Sequence, residues 1–144
     1  MSGDPSPEQF LAFGRDILAR QPFSALLGAE LTALARGRCQ LELPLRDDLR
    51  QHLGFAHGGV ISYLADNALT YAGGTAMAVP VLTSEFKINY LRPGVGERLV
   101  ARAEAVVVSK TQAVCRCEVF AVSGGVEKLC ALAQGTIVRA EHGG

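Results

Sequence analysis

Between Arg50 and Glu85 the chain carries a single formally charged residue, Asp66, in a run otherwise dominated by Leu, Ala, Val, Ile, Tyr, Gly and small hydroxyls. From Val60 to Ala72 the apolar side chains Val60, Ile61, Tyr63, Leu64, Ala65, Ala68, Leu69 and Ala72 fall on almost every face of a 3.6-residue helix. That pattern predicts a helix buried on all sides and stopped by the pair Gly73-Gly74. Such a helix needs a wrapper. It also predicts that Asp66, two turns in, is substantially desolvated. Because an unpaired buried carboxylate is costly or titrates until it is neutral, Asp66 is expected to have a partner or a use.

The front of the helix reads His57-Gly58-Gly59. Two residues without Cβ let a ligand approach the backbone where the first helical N–H groups are unsatisfied and the macrodipole is positive. An oxyanion or a polarised carbonyl suits that place. Asp66 lies eight residues past Gly58, roughly 12 Å along the axis at 1.5 Å per residue. One helix therefore cannot easily present both groups to one small reacting centre. Either the substrate is long, or a second subunit supplies one of the two.

The rest of the chain supplies the wrapper. Leu31 to Leu45 reads as a strand pair or one bent strand, broken near Arg36-Gly37-Arg38, and Arg46-Asp47-Asp48 begins a polar loop. After Pro80 the period becomes two: Glu85 to Tyr90, Arg98 to Val108, Thr111 to Val122 and Lys128 to Val138 are four extended runs. Their connections, Arg92 to Gly96, Ser109-Lys110 and Ser123 to Gly125, are short enough for hairpins, so adjacent runs are expected to pair antiparallel. Ahead of them, Ser6-Pro7-Glu8-Gln9 has the form of a capping box, and Phe10, Leu11, Phe13, Ile17 and Leu18 form one apolar stripe that ends at Gln21-Pro22. The expected fold is α+β, with a curved antiparallel sheet of five or six strands around one long helix and an N-terminal helix outside it.

At 144 residues the chain is expected to be one domain, 1–144, with an N-terminal helix and packing segment over 1–25 and a core over 31–139. Lys plus Arg and Asp plus Glu are 14 each, which argues against a nucleic-acid partner. No signal-peptide pattern and no spanning apolar run occurs, so no membrane association and a cytoplasmic address are expected. The cysteines, Cys39, Cys115, Cys117 and Cys130, lack metal-ligand spacing and are read as reduced core thiols, with no metal site.

Gly54 to Gly59 followed by Leu64-Ala65-Asp66, then Thr83-Ser84-Glu85 through Tyr90 to Pro93, and Ala133 to Thr136, resemble the PaaI-type acyl-CoA thioesterases of the hotdog-fold superfamily. The resemblance covers about Leu31 to Val138. It implies a homodimer or homotetramer with active sites at the subunit interface and an acyl-CoA substrate. No cofactor is implied, since coenzyme A belongs to the substrate. It matches Asp66 to the nucleophile or general base, and the Gly58 amide to the donor that polarises the thioester carbonyl. Thr83 matches a water-orienting hydroxyl, with Ser84 beside it as the alternative. The family usually has Asn six positions before His57, where this chain has Gln51. His57 and Gly59 are expected to orient or bind substrate, and Lys110 and Arg92 to lie near the CoA phosphates. Alternatives on the same fold are an acyl-CoA binding module and a hydratase or dehydratase, the latter pairing Asp66 with His57.

Overall fold

The computed structural model describes residues 3–141; the ends of the expected 1–144 domain, residues 1–2 and 142–144, lie outside them. The elements run α1 (Pro7–Ala19), α2 (Pro22–Leu27), β1 (Glu30–Ala35), β2 (Arg38–Pro44), a single 3₁₀ turn (Asp47–Leu49), α3 (Gly58–Met77), β3 (Val81–Tyr90), β4 (Arg98–Val108), β5 (Gln112–Ser123) and β6 (Val126–Arg139). The six strands form one antiparallel sheet in the order β1-β2-β4-β5-β6-β3.

One face of this sheet packs on α3. Leu41 and Leu43 of β2, Leu99 of β4, Val119 of β5 and Ile137 of β6 are fully buried in one cluster with Leu64 and Leu69 of α3. The opposite face is mainly polar, with Phe120 and Leu132 among its charged side chains, as expected for an antiparallel sheet covered on one side only. Arg102 forks onto Glu127 at 2.8 and 2.7 Å, and Arg98 pairs with Glu42 on the neighbouring strand. At the N-terminus the capping box forms as read, with Gln9 N–H donated to Ser6 Oγ at 3.1 Å and Ser6 N–H to Gln9 Oε1 at 2.8 Å.

Four details differ from the sequence expectation. The glycine pair does not end α3, which continues to Met77 and is capped by Ala78 at φ 57. Gly73 serves packing instead: a Cβ there would sit 2.7 Å from Ile137 Cβ, so the helix can lie on β6 only without it. Second, α3 is not buried on all sides. Its sheet-facing residues are buried, while Ser62, Tyr63, Asp66, Asn67 and Thr70 form a half-buried outer stripe, because a single sheet covers only one side of a cylinder.

The third difference concerns the loop from Arg92 to Gly96, which is not a hairpin. Strands β3 and β4 do not pair; β3 lies beyond β6 at the sheet edge. The loop crosses the end of the sheet, with Gly94 O accepting Ala56 N–H at 2.9 Å and Glu97 N–H donated to Val122 O at 2.9 Å. Finally, Pro22 ends α1 but also opens the short α2 as its first residue, a place proline's missing N–H favours.

Candidate active site

The loop before α3 is built by backbone and side-chain bonds that fix where the helix starts. Arg50 bridges to Ala56, and His57 N–H is donated to Leu49 O at 3.0 Å. Gln51 Oε1 accepts the N–H groups of Leu53, at 2.5 Å, and Phe55, at 3.3 Å, so this amide oxygen shapes its own loop. Its Nε2 meets no protein acceptor among the described residues. His57 is the N-cap of α3, and its Nδ1 accepts Gly59 N–H at 2.8 Å. A Cβ on Gly59 would lie 2.9 Å from that nitrogen, which explains the second glycine. The Gly59 amide is thus occupied within the chain. By contrast the Gly58 N–H, at the first position of the helix, has no acceptor among the described residues, as helix geometry requires.

Tyr90 closes this turn from the other side. Its hydroxyl donates to Gly58 O at 3.1 Å, and its ring stands 3.5 Å from where a Gly58 Cβ would be. Arg92 follows two residues later, exposed, with its backbone N–H donated to Cys130 O at 3.5 Å. Sequence reasoning did not single out Tyr90 as a site residue; its strand pattern showed only an alternating tyrosine.

Two turns into α3, Asp66 is half-buried on the outer stripe rather than enclosed. Its Oδ1 accepts the Thr83 hydroxyl at 2.6 Å. Among the described residues no Lys or Arg pairs with it. The aim of Thr83 comes from a β-bulge: the β3–β6 register slips between Thr83, opposite Ile137, and Glu85, opposite Thr136, leaving Ser84 as the extra residue. Of the two hydroxyls considered from sequence, Thr83 turns to the helix, while Ser84 is exposed.

Beside Asp66 lies a polar cluster invisible to local pattern. The Tyr63 hydroxyl donates to Ser24 Oγ at 2.5 Å, Ser24 donates to Gln21 Oε1 at 2.6 Å, and Asn67 Nδ2 reaches Tyr63 Oη and Gln21 Oε1, each at 3.1 Å. Ser24 is 2% exposed, and Phe23 meets the Tyr63 ring edge-on at 5.4 Å. These bonds pin α2 to the outer stripe of α3. The Tyr63/Asn67 spacing of four places both on one helix face, but Gln21 and Ser24, about forty residues away, carry no signal of their own.

Lys110 lies in the β4–β5 turn, held by Ser109 N–H on Gln112 O at 2.8 Å. The four cysteines are free and buried. Burial pushes the Cys39 thiol up to about 12, and those of Cys115 and Cys130 up to about 11, so none is a ready nucleophile or ligand near neutrality.

Residues 53–128, which hold α3, Asp66, Thr83 and Lys110, match the Thioesterase superfamily. The chain belongs to that superfamily. Its hotdog fold is shared with the crystal structure of a thioesterase family protein from Silicibacter pomeroyi, which it resembles at 38% identity and a TM-score of 0.81 over 86% of this chain and 93% of that one. A mutant form of the phenylacetic acid degradation protein PaaI from Thermus thermophilus is likewise 38% identical, with a TM-score of 0.73 over 83% of this chain and all of that one. This thioesterase-superfamily chain is therefore of the PaaI type. A 1,4-dihydroxy-2-naphthoyl-CoA hydrolase of Listeria monocytogenes is 25% identical to it over 113 residues, covering 77% of this chain and 89% of that one. Among the described residues no helix is long and apolar enough to cross a membrane.

Proposed function

We propose that the protein hydrolyses acyl-CoA thioesters to a free acid and CoA. The observation that carries this reading is Asp66: a carboxylate on an otherwise uncharged helix, paired with no cation among the described residues and held by the Thr83 hydroxyl at 2.6 Å. Asp66 either attacks the thioester carbonyl or takes a proton from the attacking water. The Gly58 N–H and the positive end of α3 stabilise the oxyanion, and the CoA thiolate leaves. Gln51 Nε2 and Thr83 position the reactants, and Lys110 and Arg92 hold the CoA phosphates. No cofactor takes part. The superfamily and the CoA hydrolase relative support the reaction class.

Gly58 and Asp66 remain roughly 12 Å apart along an unbroken helix. The reading therefore places the two at one thioester by assembling a homodimer or homotetramer, with Gly58 from one protomer and Asp66 from its partner. The ten-residue β3, with one edge unpaired and Thr83 on it, supports a contact between copies there. A dehydratase is less well supported, because His57 caps α3 and its Nδ1 is engaged by the Gly59 N–H.

The test is Asp66→Asn, assayed by free-thiol release from acyl-CoA alongside a urea titration. We expect kcat to fall by about 10²–10⁴, the range for a positioned acid-base group, with the urea midpoint held. A variant that turns over normally per folded molecule refutes the assignment. Sedimentation showing a fully active monomer refutes the two-protomer site.

A further inference from the structure

Strand β3 reaches α3 at both of the places the proposed reaction uses. Near its start Thr83 donates to Asp66 Oδ1 at 2.6 Å, and at its last residue the Tyr90 hydroxyl donates to Gly58 O at 3.1 Å. The hydroxyl of Tyr90 is well anchored. Tyr90 is paired with Ala131 of β6, the Leu91 N–H is donated to Cys130 O at 2.8 Å, and Gly94 O accepts the Ala56 N–H at 2.9 Å. Residues 90–94 therefore grip the chain before α3 at Ala56 and again at Gly58.

Gly58 and Gly59 are neighbours without Cβ, so the backbone there has many accessible conformations and does not by its own sterics hold an N–H in one direction. The bonds on either side of Gly58 do. On the N-terminal side His57 O accepts the N–H groups of Val60 at 3.0 Å and Ile61 at 3.3 Å, and the His57 N–H is donated to Leu49 O at 3.0 Å. On the C-terminal side the peptide joining Gly58 to Gly59 is held at both of its polar atoms, the Gly59 N–H by His57 Nδ1 at 2.8 Å and Gly58 O by the Tyr90 hydroxyl. The other polar atoms of these two peptides are engaged, while the Gly58 N–H has no acceptor among the described residues.

We propose that Tyr90 is a positioning residue for the Gly58 amide: its hydroxyl, carried on the sheet, fixes the Gly58–Gly59 peptide so that the Gly58 N–H is already aimed when the oxyanion forms. The inference rests on the proposed hydrolysis for its effect on rate and on the hydrogen bonds alone for the clamp. The oxyanion develops only on the way to the transition state, so a loosened donor lowers kcat and leaves KM in place. One neutral hydrogen bond of this kind corresponds to a factor of about three to ten.

The test is Tyr90→Phe, which keeps the ring that stands 3.5 Å from a Cβ built on Gly58 and removes only the hydroxyl. Parent and variant are compared by thiol release from acyl-CoA, as kcat and KM per folded molecule. Hydrogen exchange of the Gly59 N–H is followed in parallel by NMR on protein carrying isotope-labelled glycine, relative to core amides of β5. We expect kcat to fall by about three- to tenfold with KM unchanged, and Gly59 exchange to quicken by a similar factor while the β5 amides hold. An unchanged kcat per folded molecule overturns the inference, as does a raised KM with kcat intact, which would make Tyr90 a substrate contact. Unchanged Gly59 exchange overturns it as well, and so does exchange that quickens equally in β5, which would make the hydroxyl a general stabiliser of the fold. If the parent releases no thiol, the hydrolysis reading falls, and Gly59 exchange decides the clamp on its own: faster in Tyr90→Phe upholds it, unchanged removes it.

Discussion

Replacing Thr83 by Val keeps the β-branched shape on β3 and removes one atom's function, the hydroxyl that donates to Asp66 Oδ1 at 2.6 Å. A hydrogen bond to a charged acceptor contributes about 1.5–3 kcal/mol net, and this one is half-buried, so the lower part of that range applies. If Thr83 works by holding the carboxylate in position, a loss of about 1.4 kcal/mol in the transition state is tenfold in kcat/KM. A double-mutant cycle with Asp66→Asn isolates the route. Thr83→Val should cost about tenfold in the parent and almost nothing once Asp66 is Asn, because the group it positions no longer acts. The assay is thiol release per folded molecule, with urea midpoints for all four proteins. Equal losses in both backgrounds would mean that Thr83 contacts the substrate independently of Asp66. A lower midpoint with unchanged turnover would make the pair structural, and the positioning argument would be wrong.

Three further outcomes are expected. Lys110→Ala should raise KM for acyl-CoA several-fold with kcat nearly unchanged, since a phosphate contact is the same in ground and transition states; an unaltered KM refutes the role. Gly73→Ala should lower stability by about 1–3 kcal/mol, read from the urea midpoint, because the new Cβ would fall 2.7 Å from Ile137 Cβ; an unchanged midpoint would show that α3 can shift freely. Burial raises the thiols of Cys115 and Cys130 from 9.0 to about 11, so the native state holds those protons more tightly; their contribution is full below pH 9.0 and is lost as pH rises toward 11. Stability should therefore decline across that window, less steeply in Cys130→Ala, and equal slopes would contradict this account.

Legibility in the sequence followed the range of the physics. The long apolar helix, the capping box and the alternating strands are local patterns, and each appears in the structure near its expected bounds. Strand order was not local. The five residues from Arg92 to Gly96 suit a hairpin by length, yet β3 pairs with β6, and the deciding contacts are Ala56 on Gly94 and Tyr90 through Val81 along β6. The glycine pair misled for a similar reason: Gly73 answers to Ile137, far along the chain on β6, rather than to the helix end. Asp66 and Gly58 stood out as candidates because their surroundings were anomalous in sequence: one charge in an uncharged run, and a glycine pair at a helix start. Ser24 and Gln21 did not, because an N-terminal serine and glutamine are ordinary until Tyr63 and Asn67 arrive beside them.

The same long-range order explains why the candidate site lies where it does. Sending the chain across the sheet end after Tyr90 places β3 at an edge, so Thr83 sits on a strand with one side still unpaired. The bulge at Ser84 then lets Thr83 face Asp66 while Glu85 stays on the solvent side. The crossing loop meanwhile holds Gly94 to Ala56, and Tyr90 bonds Gly58 O, which fixes the helix start from which the Gly58 N–H emerges. A hairpin between β3 and β4 would have buried that edge and left the helix start without these supports. The Asp66 carboxylate and the Gly58 amide are thus separated within one chain by the straightness of α3, while the strand beside the carboxylate has one edge unpaired. Under the proposed reaction, pairing between copies across that edge is the arrangement that would bring the two to one thioester.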